Sequence, residues 1–168
     1  MTRNPSYWLM KSEPDVFSIQ DLKACHVTGW DGVRNYQARN YLRDGLKVGD
    51  GVLFYNSNTH LSGISGLAEV VKGGYPDDTA FDPKDVHYDP KSRTDHPIWY
   101  RVDVKFVRAF RSVIPIQTLR KTPGLKNMVL FRNARLSVQP VTKREWEIIL
   151  RLAEKAQNPT VQKPRSPQ

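Results

Sequence analysis

The sequence predicts an α+β fold, a curved, mixed or mostly antiparallel sheet or small barrel with helices at its periphery. Two observations indicate this class. Several short strand candidates have helices inserted between them, and no glycine-rich phosphate loop follows a strand. A length of 168 residues, with 39% apolar and 26% charged residues, suits one domain with its own core. We expect that domain over residues 1–156 and a disordered, proline-rich tail over residues 157–168.

The first half of the chain predicts three strands, two short helices and a long loop. The apolar run at residues 7–10 suits a buried first strand. Ser18 and Asp21 form a capping pair for a helix that runs towards residue 25. Residues 73–97 are rich in glycine, proline and aspartate and predict a loop of a length that is usually functional. Between these segments we expect a helix at 38–43, a turn at 47–50, and strands at 51–55 and 62–71.

The second half predicts two further strands and a C-terminal helix. Apolar and polar residues alternate over residues 99–107, which is the period of a half-buried strand. Thr142 caps a helix at 143–156 whose apolar stripe includes Trp146, so this tryptophan is expected in the core. Smaller candidates are a helix at 116–120, a short apolar run at 129–131 and a strand at 136–140.

The net charge of +9 is unevenly distributed along the chain. Residues 1–100 carry 11 Lys and Arg against 13 Asp and Glu, whereas residues 101–151 carry 12 against 3. An excess of this kind attracts polyanions by counterion release, without preference for sequence. A solvated basic face on a protein that binds no polyanion is the alternative.

Several classes of protein lack their signatures in this sequence. The phosphate-loop, serine-hydrolase and zinc-protease motifs are absent, and the four histidines are scattered, so neither a catalytic residue, a cofactor nor a metal is predicted. Cys25 is the only cysteine, which fits a reducing compartment and excludes an internal disulfide. No apolar run is long enough to span a membrane and no signal sequence is recognisable, so we expect a cytoplasmic protein, or a nuclear one in a eukaryote.

The run from Trp30 to Asn40 has neither helical nor strand periodicity and predicts a ligand site. It combines an aromatic ring, a carboxylate, a glycine, amides and two arginines. Rings stack on flat molecules, amides bind their polar edges and arginines bind phosphate, so this mixture suits a nucleotide. The alternative is that Trp30 packs in the core and that Arg34 and Arg39 flank a helix.

Five sequence segments, in order along the chain, closely resemble the EVE domain family. They are residues 7–14, 30–36, 49–50 with 54–58, 69–70 with 75–77, and 135–141, and the resemblance extends over about residues 6–153. The resemblance implies a PUA-like fold, a small β-barrel with peripheral helices that is related to the YTH domains. It also implies a pocket for a single flipped base, with modified cytosine in DNA, such as 5-methylcytosine or 5-hydroxymethylcytosine, as the favoured ligand.

This resemblance assigns roles to particular residues. Trp30 looks equivalent to a wall of the YTH aromatic cage, and stacking on it offsets the cost of flipping a base. Glu13 is a candidate acceptor for the exocyclic amine of cytosine, in a polar floor with Lys11 and Ser12. The base edge is expected to meet Asp31, Gly32, Val33 and Asn35. Candidates for further walls are Phe54, Tyr55 and Tyr75, each of which could instead pack in a core. Phosphate contacts are expected from Arg34, Arg39, Arg132 and Arg135.

Two other function classes stay open at this point. An RNA-binding module that recognises modified RNA would display the same charge, because both nucleic acids present phosphate. A glycosylase or deaminase would share the pocket, with Glu13 or Asp31 moving a proton, although the zinc ligands of a deaminase are missing. The expected partner is nucleic acid with modified bases, with DNA favoured, and a separately encoded nuclease or modification enzyme is a further candidate.

Overall fold

The computed structural model describes residues 3–157, which form one six-stranded mixed sheet and its surrounding helices. The strand order is β2-β5-β4-β3-β1-β6, and β1 and β3 are parallel whereas all other neighbours are antiparallel. No pairing joins β2 to β6 within the described residues, so the sheet is open. The strands are β1 (Tyr7–Ser12), β2 (Val27–Gly29), β3 (Gly51–Asn56), β4 (Gly63–Pro76), β5 (Tyr100–Pro115) and β6 (Val138–Val141).

Within residues 3–157, five α-helices flank the sheet, and the two with capping boxes begin where the sequence predicts. At α1, Ser18 accepts a hydrogen bond from the Asp21 N–H and Asp21 accepts one from the Ser18 N–H. Thr142 and Glu145 make the same reciprocal pair at α5. The helices are α1 (Ile19–Cys25), α2 (Tyr36–Asn40), α3 (Ile116–Lys121), α4 (Val129–Arg132) and α5 (Lys143–Gln157); a π-helical turn (Tyr41–Gly45) follows α2 and a 3-10 turn (Asp78–Phe81) follows β4.

The two faces of the sheet bury separate apolar clusters, because successive side chains of a strand point to opposite faces. Along β1, Trp8 and Met10 pack with Phe54 on one face, together with α1 and Trp30. Leu9 packs on the other face, which α3, α4 and α5 cover. The candidate site described below lies at the edge of the first face.

The predicted α+β class and mixed sheet are confirmed, but the sheet is open and does not close into the predicted barrel, because no pairing joins β2 to β6 within residues 3–157. The structure also differs from the sequence prediction in three elements. The three-residue strand β2 was not predicted. Strand β4 continues to Pro76, into the predicted loop, since β4 and β5 form a long bulged ribbon. Gly74 lets this ribbon cross the π-helical turn closely, as a Cβ there would lie 2.4 Å from the Leu42 carbonyl oxygen. Strand β5 likewise runs to Pro115 instead of ending near 107.

The predicted tail lies almost entirely outside the described residues, which end with Gln157 in α5. Within residues 3–157, no helix is long and apolar enough to cross a membrane. In the same range, no cluster of three or more His, Cys, Asp or Glu side chains has a geometry that could hold a metal ion.

Candidate functional site

A cavity of about 660 Å³ opens between the end of β1, strand β2 and the loop that follows β4. This volume falls within the range of ordinary small-ligand sites. The segment Trp30–Arg34, which leads from β2 to α2, forms its centre. The lining residues are Lys11, Ser12, Glu13, Val16, Phe17, Thr28, Gly29, Trp30, Asp31, Gly32, Val33, Arg34, His87 and Ser137.

Trp30 contributes to the core and to the cavity wall at once. Its backbone N–H donates a hydrogen bond of 2.7 Å to the Val102 carbonyl of strand β5. Its ring meets Phe54 edge-on, with ring centroids 5.5 Å apart and an interplanar angle of 84°. The ring of Phe17 also packs on Phe54, at 6.4 Å between centroids. The indole, 8% exposed, is therefore a wall whose orientation the core determines.

Asp77, which is fully buried, holds the segment after Trp30 in place. Its carboxylate accepts hydrogen bonds from the Gly32 N–H at 2.9 Å and from the Arg34 guanidinium at 2.9 Å. Thr79 donates two more, from its N–H and its hydroxyl. Although burial alone would raise the pKa of Asp77, the hydrogen bonds from Thr79, Arg34 and Gly32 outweigh it and lower that pKa. The side chain is thus a charged anchor for the cavity wall.

Arg34 joins this wall to the loop after β4. Its Nε and Nη2 atoms donate to the His87 carbonyl at 3.1 and 2.8 Å, and the guanidinium lies 5.3 Å from the ring centroid of Trp99. The Trp99 indole N–H donates to Asp89, at 2.7 Å, and so secures the loop a second time. The long loop that the sequence predicted is therefore ordered around one arginine.

Gly32 is required where the wall meets the loop. Its φ of +77° lies in the left-handed region, and a Cβ at this position would lie 2.7 Å from Nε2 of His87. The His87 imidazole consequently packs directly against the Gly32 backbone. Its Nδ1 atom lies 3.2 Å from a carboxylate oxygen of Asp85.

The charged groups of the cavity differ in their burial and in their hydrogen-bond or ionic partners. Burial raises the pKa of Asp31, the nearby charge of Asp77 raises it further, and Arg101, 3.8 Å away, opposes both. Burial lowers the pKa of Lys11, whose ammonium donates to the Ala134 carbonyl at 2.5 Å. Glu13 is exposed and accepts a hydrogen bond of 2.7 Å from the Asn58 carboxamide, so its carboxylate is oriented but still open to solvent.

The structure brings most of the predicted base-binding residues to this one cavity. These are Lys11, Ser12, Glu13, Trp30, Asp31, Gly32 and Val33. Four predicted residues lie elsewhere. Asn35 caps α2 by accepting from the Ala38 N–H, and Phe54 lies behind Trp30. Tyr55 packs on the opposite face of the sheet, and Tyr75 is hydrogen-bonded to Asp103 and Arg101.

The predicted phosphate contacts divide in the same way. The guanidinium of Arg34 lines the cavity but already donates to Asp77 and the His87 carbonyl. Arg39 donates to the Ile98 carbonyl at 2.7 Å. Arg132 and Arg135 are exposed in and after α4.

Sequence reasoning missed Phe17, His87 and Ser137 in the lining, and Asp77 as the anchor. Phe17 reaches the cavity through the turn after β1, where its N–H donates to the Glu13 carbonyl at 2.9 Å, and Ser137 reaches it beside β1, as its carbonyl accepts from the Lys11 N–H at 2.9 Å. His87 reaches it through the folded loop. Asp77 and Ser137 carried a local signal, because each lies in one of the five segments that resemble the family.

Comparison with known proteins gives consistent relatives. A family model described as the EVE domain matches residues 6–152. Thymocyte nuclear protein 1 of Homo sapiens is 49% identical over 169 residues, which cover 89% of this chain and 75% of that protein. A hypothetical protein from Leishmania major superimposes with a TM-score of 0.90 at 48% identity, covering 92% of this chain and 98% of that one. The human THYN1 protein, solved in complex with DNA containing 5-methylcytosine, superimposes with a TM-score of 0.83 at 50% identity, covering 89% of this chain and 98% of that one.

Proposed function

Because the chain belongs to the EVE domain family, we propose that it binds a flipped, modified cytosine of DNA in the cavity beside Trp30, without catalysing a reaction. The observation that carries this proposal is the geometry of Trp30, a tryptophan wall oriented by Phe54 in a cavity of ligand size. The human structural relative bound to DNA with 5-methylcytosine supports the choice of ligand. The proposed binding unit is the single domain predicted over residues 1–156.

A preformed wall favours binding of a flipped base. Flipping costs a few kcal/mol, and stacking on an aromatic side chain returns about 1–3 kcal/mol per base. Since Phe54 and the Val102 carbonyl already fix Trp30, little conformational entropy is lost when a base stacks there. The human relative is named as a nuclear protein, which supports a nuclear location for this protein if its source is a eukaryote.

Recognition of cytosine requires an acceptor for its exocyclic amine, and the cavity offers two carboxylates. Glu13 lies at the end of β1 and is oriented by Asn58. Asp31 lies next to Trp30 and has a raised pKa. We assign the acceptor role to Glu13, because its exposed carboxylate is oriented by the Asn58 carboxamide, whereas the carboxylate of Asp31 lies 3.8 Å from the guanidinium of Arg101. A 5-methyl group adds only about 1 kcal/mol of contact, so the amine contributes more to specificity than the methyl.

The test compares DNA duplexes that differ at one position, carrying 5-methylcytosine, cytosine or thymine, by fluorescence anisotropy. Thymine shares the methyl group and lacks the amine, so it isolates recognition of the amine. We expect 5-methylcytosine to bind most tightly and Glu13→Gln to reduce its advantage over thymine. Trp30→Ala should weaken binding of the modified duplex about 5- to 150-fold, as expected for lost stacking.

Trp146→Ala is the matched control, because this tryptophan stacks on Tyr7 at 4.5 Å, outside the cavity. Trp30→Leu, with circular dichroism as a check of folding, separates loss of stacking from loss of structure. If folded Trp30 variants bind every duplex as the unaltered protein does, the proposed site is wrong. Tighter binding of an RNA of the same sequence supports the RNA alternative, and a change in the mass of the bound base would indicate an enzyme.

A further inference from the structure

We propose that exposed cations on α3, α4 and the turns next to them form the surface that binds the DNA phosphates beside the flipped base. This basic surface consists of Arg120, Lys121, Lys126, Arg132 and Arg135. The inference rests on the proposed function for the identity of the nucleic acid. It specifies along which side of the cavity the DNA backbone runs.

The charge pattern of this part of the chain is one-sided. Residues 104–144 contain ten Lys and Arg residues and no Asp or Glu. Within the part of the chain that the structure describes, none of the five surface cations forms an ion pair. Their charge is therefore available to a partner, in contrast to the paired arginines of the cavity wall.

The surface is rigid because its opposite side is buried. Leu119, Leu125 and Leu130 are at most 3% exposed and anchor α3, α4 and the turn between them in the second apolar cluster. The guanidinium of Arg120 lies 5.1 Å from the ring centroid of Phe131, which links the two helices. A fixed array of cations loses less entropy on binding a backbone than flexible side chains on a loop do.

The Arg135 end of the basic surface adjoins the cavity. The Lys11 ammonium donates to the Ala134 carbonyl at 2.5 Å, and the Lys11 N–H donates to the Ser137 carbonyl at 2.9 Å. Both Lys11 and Ser137 line the cavity. Arg135 precedes Ser137 by two residues, a span of about 7 Å in extended chain. Phosphates next to a base in the cavity are therefore within reach of Arg135, from which the backbone can continue over the other cations.

The opposite rim of the cavity repels a backbone. The loop after β4 carries six aspartates between residues 77 and 95, against one arginine and two lysines. Arg34, the cation of that side that lines the cavity, is neutralised by Asp77 at 2.9 Å. The charge asymmetry directs the DNA backbone over α3 and α4, and the phosphate role predicted for Arg34 and Arg39 passes to this surface.

Two double variants with the same change in charge test this assignment. Lys121→Gln with Lys126→Gln alters the basic surface, and Lys84→Gln with Lys91→Gln removes two exposed lysines from the acidic loop. Affinity for duplexes with cytosine and with 5-methylcytosine is measured between 50 and 200 mM salt. Each phosphate contact contributes about −0.9 to the slope of log affinity against log salt concentration, so the first variant should flatten the slope by about 1.8.

We expect the Lys121 and Lys126 variant to weaken binding of both duplexes by the same factor and to leave their affinity ratio unchanged, since phosphate contacts carry no base preference. The loop variant should keep the original slope. Equal flattening in both variants, or none in the first, would overturn the assignment, because only net charge or another surface would then be involved. A failure of the proposed function would appear separately, as an affinity ratio near one in the unaltered protein.

Discussion

Gly32→Ala tests whether the contact between the Trp30–Arg34 wall and the loop shapes the cavity. Gly32 combines a φ of +77° with an imidazole at van der Waals distance, whereas Gly49 has a φ of +94° and no atom within 4 Å of an added Cβ. Gly49→Ala therefore reports the backbone strain alone. The difference between the two variants measures the collision with His87.

The expected energies follow from this geometry. A left-handed conformation costs a residue with a Cβ about 1–2 kcal/mol, so Gly49→Ala should lower the free energy of unfolding by that amount. At Gly32 the Cβ would lie 2.7 Å from Nε2 of His87, and pushing that side chain off its rotamer costs about 0.5–1.5 kcal/mol more. Gly32→Ala should therefore cost about 1.5–3.5 kcal/mol in total.

Urea denaturation at constant m-value measures these differences, and DNA binding is measured in parallel. Adding His87→Ala to Gly32→Ala should restore about 1 kcal/mol, a coupling of the size seen between residues in contact. Gly32→Ala should weaken binding of the modified duplex because the displaced imidazole changes the cavity, and Gly49→Ala should not. Equal stability losses in the two glycine variants, without restoration by His87→Ala, would refute the proposed packing.

Three further predictions concern the carboxylates. Asp77→Asn should lower the free energy of unfolding by about 3 kcal/mol and weaken DNA binding, because it leaves Arg34 without its buried partner. In the same urea titration Asp78→Asn should lower it by less than about 1 kcal/mol, because the Asp78 carboxylate that pairs with Arg101 is exposed. Burial alone would raise the pKa of Asp50, but hydrogen bonds from the Lys47 N–H, Arg3 and Trp8 lower it. The ionised carboxylate therefore stabilises the fold above the ordinary pKa of about 3.9, and this effect is lost as pH falls through the lowered value. The stability cost of Asp50→Asn should accordingly shrink on acidification, while the variant keeps the DNA selectivity of the unaltered protein. The pKa of Asp31 is raised by burial and by Asp77, so its ionised form destabilises the fold; Asp31→Asn should unfold at higher urea than the unaltered protein at neutral pH, and this advantage should disappear below about pH 3.9.

Local signals in the sequence were sufficient for the elements that local interactions determine. The capping pairs at Ser18 and Thr142 predict the starts of α1 and α5, because each uses residues three apart on one turn. The alternation after Trp99 likewise predicts β5. The extension of β4 to Pro76 was missed, since Gly73 and Gly74 interrupt its pattern and only pairing with β5 holds them in the sheet.

In the candidate site, too, most of the residues that local sequence segments contain were predicted, and those that depend on long-range contacts were not. The residues from Trp30 to Val33 and from Lys11 to Glu13 were identified because they are contiguous and resemble family segments. Tyr55 and Tyr75 also lie in segments that resemble the family and were predicted as walls because they are aromatic. Their orientation depends on strand register, which neither composition nor the resemblance reveals. His87 was missed because its place depends on a carbonyl bound by Arg34, a contact across 53 residues.

Trp30 is both a core residue and a candidate platform for the ligand. The tryptophan is 8% exposed, packs on Phe54 as a core residue does, and still lines the cavity. These properties depend on each other, because a wall that the core did not hold would lose affinity through its own ordering on binding. Substitutions of Trp30 should therefore lower both stability and affinity, whereas variants at Lys121 and Lys126, which only contact phosphate in this proposal, should lower affinity alone.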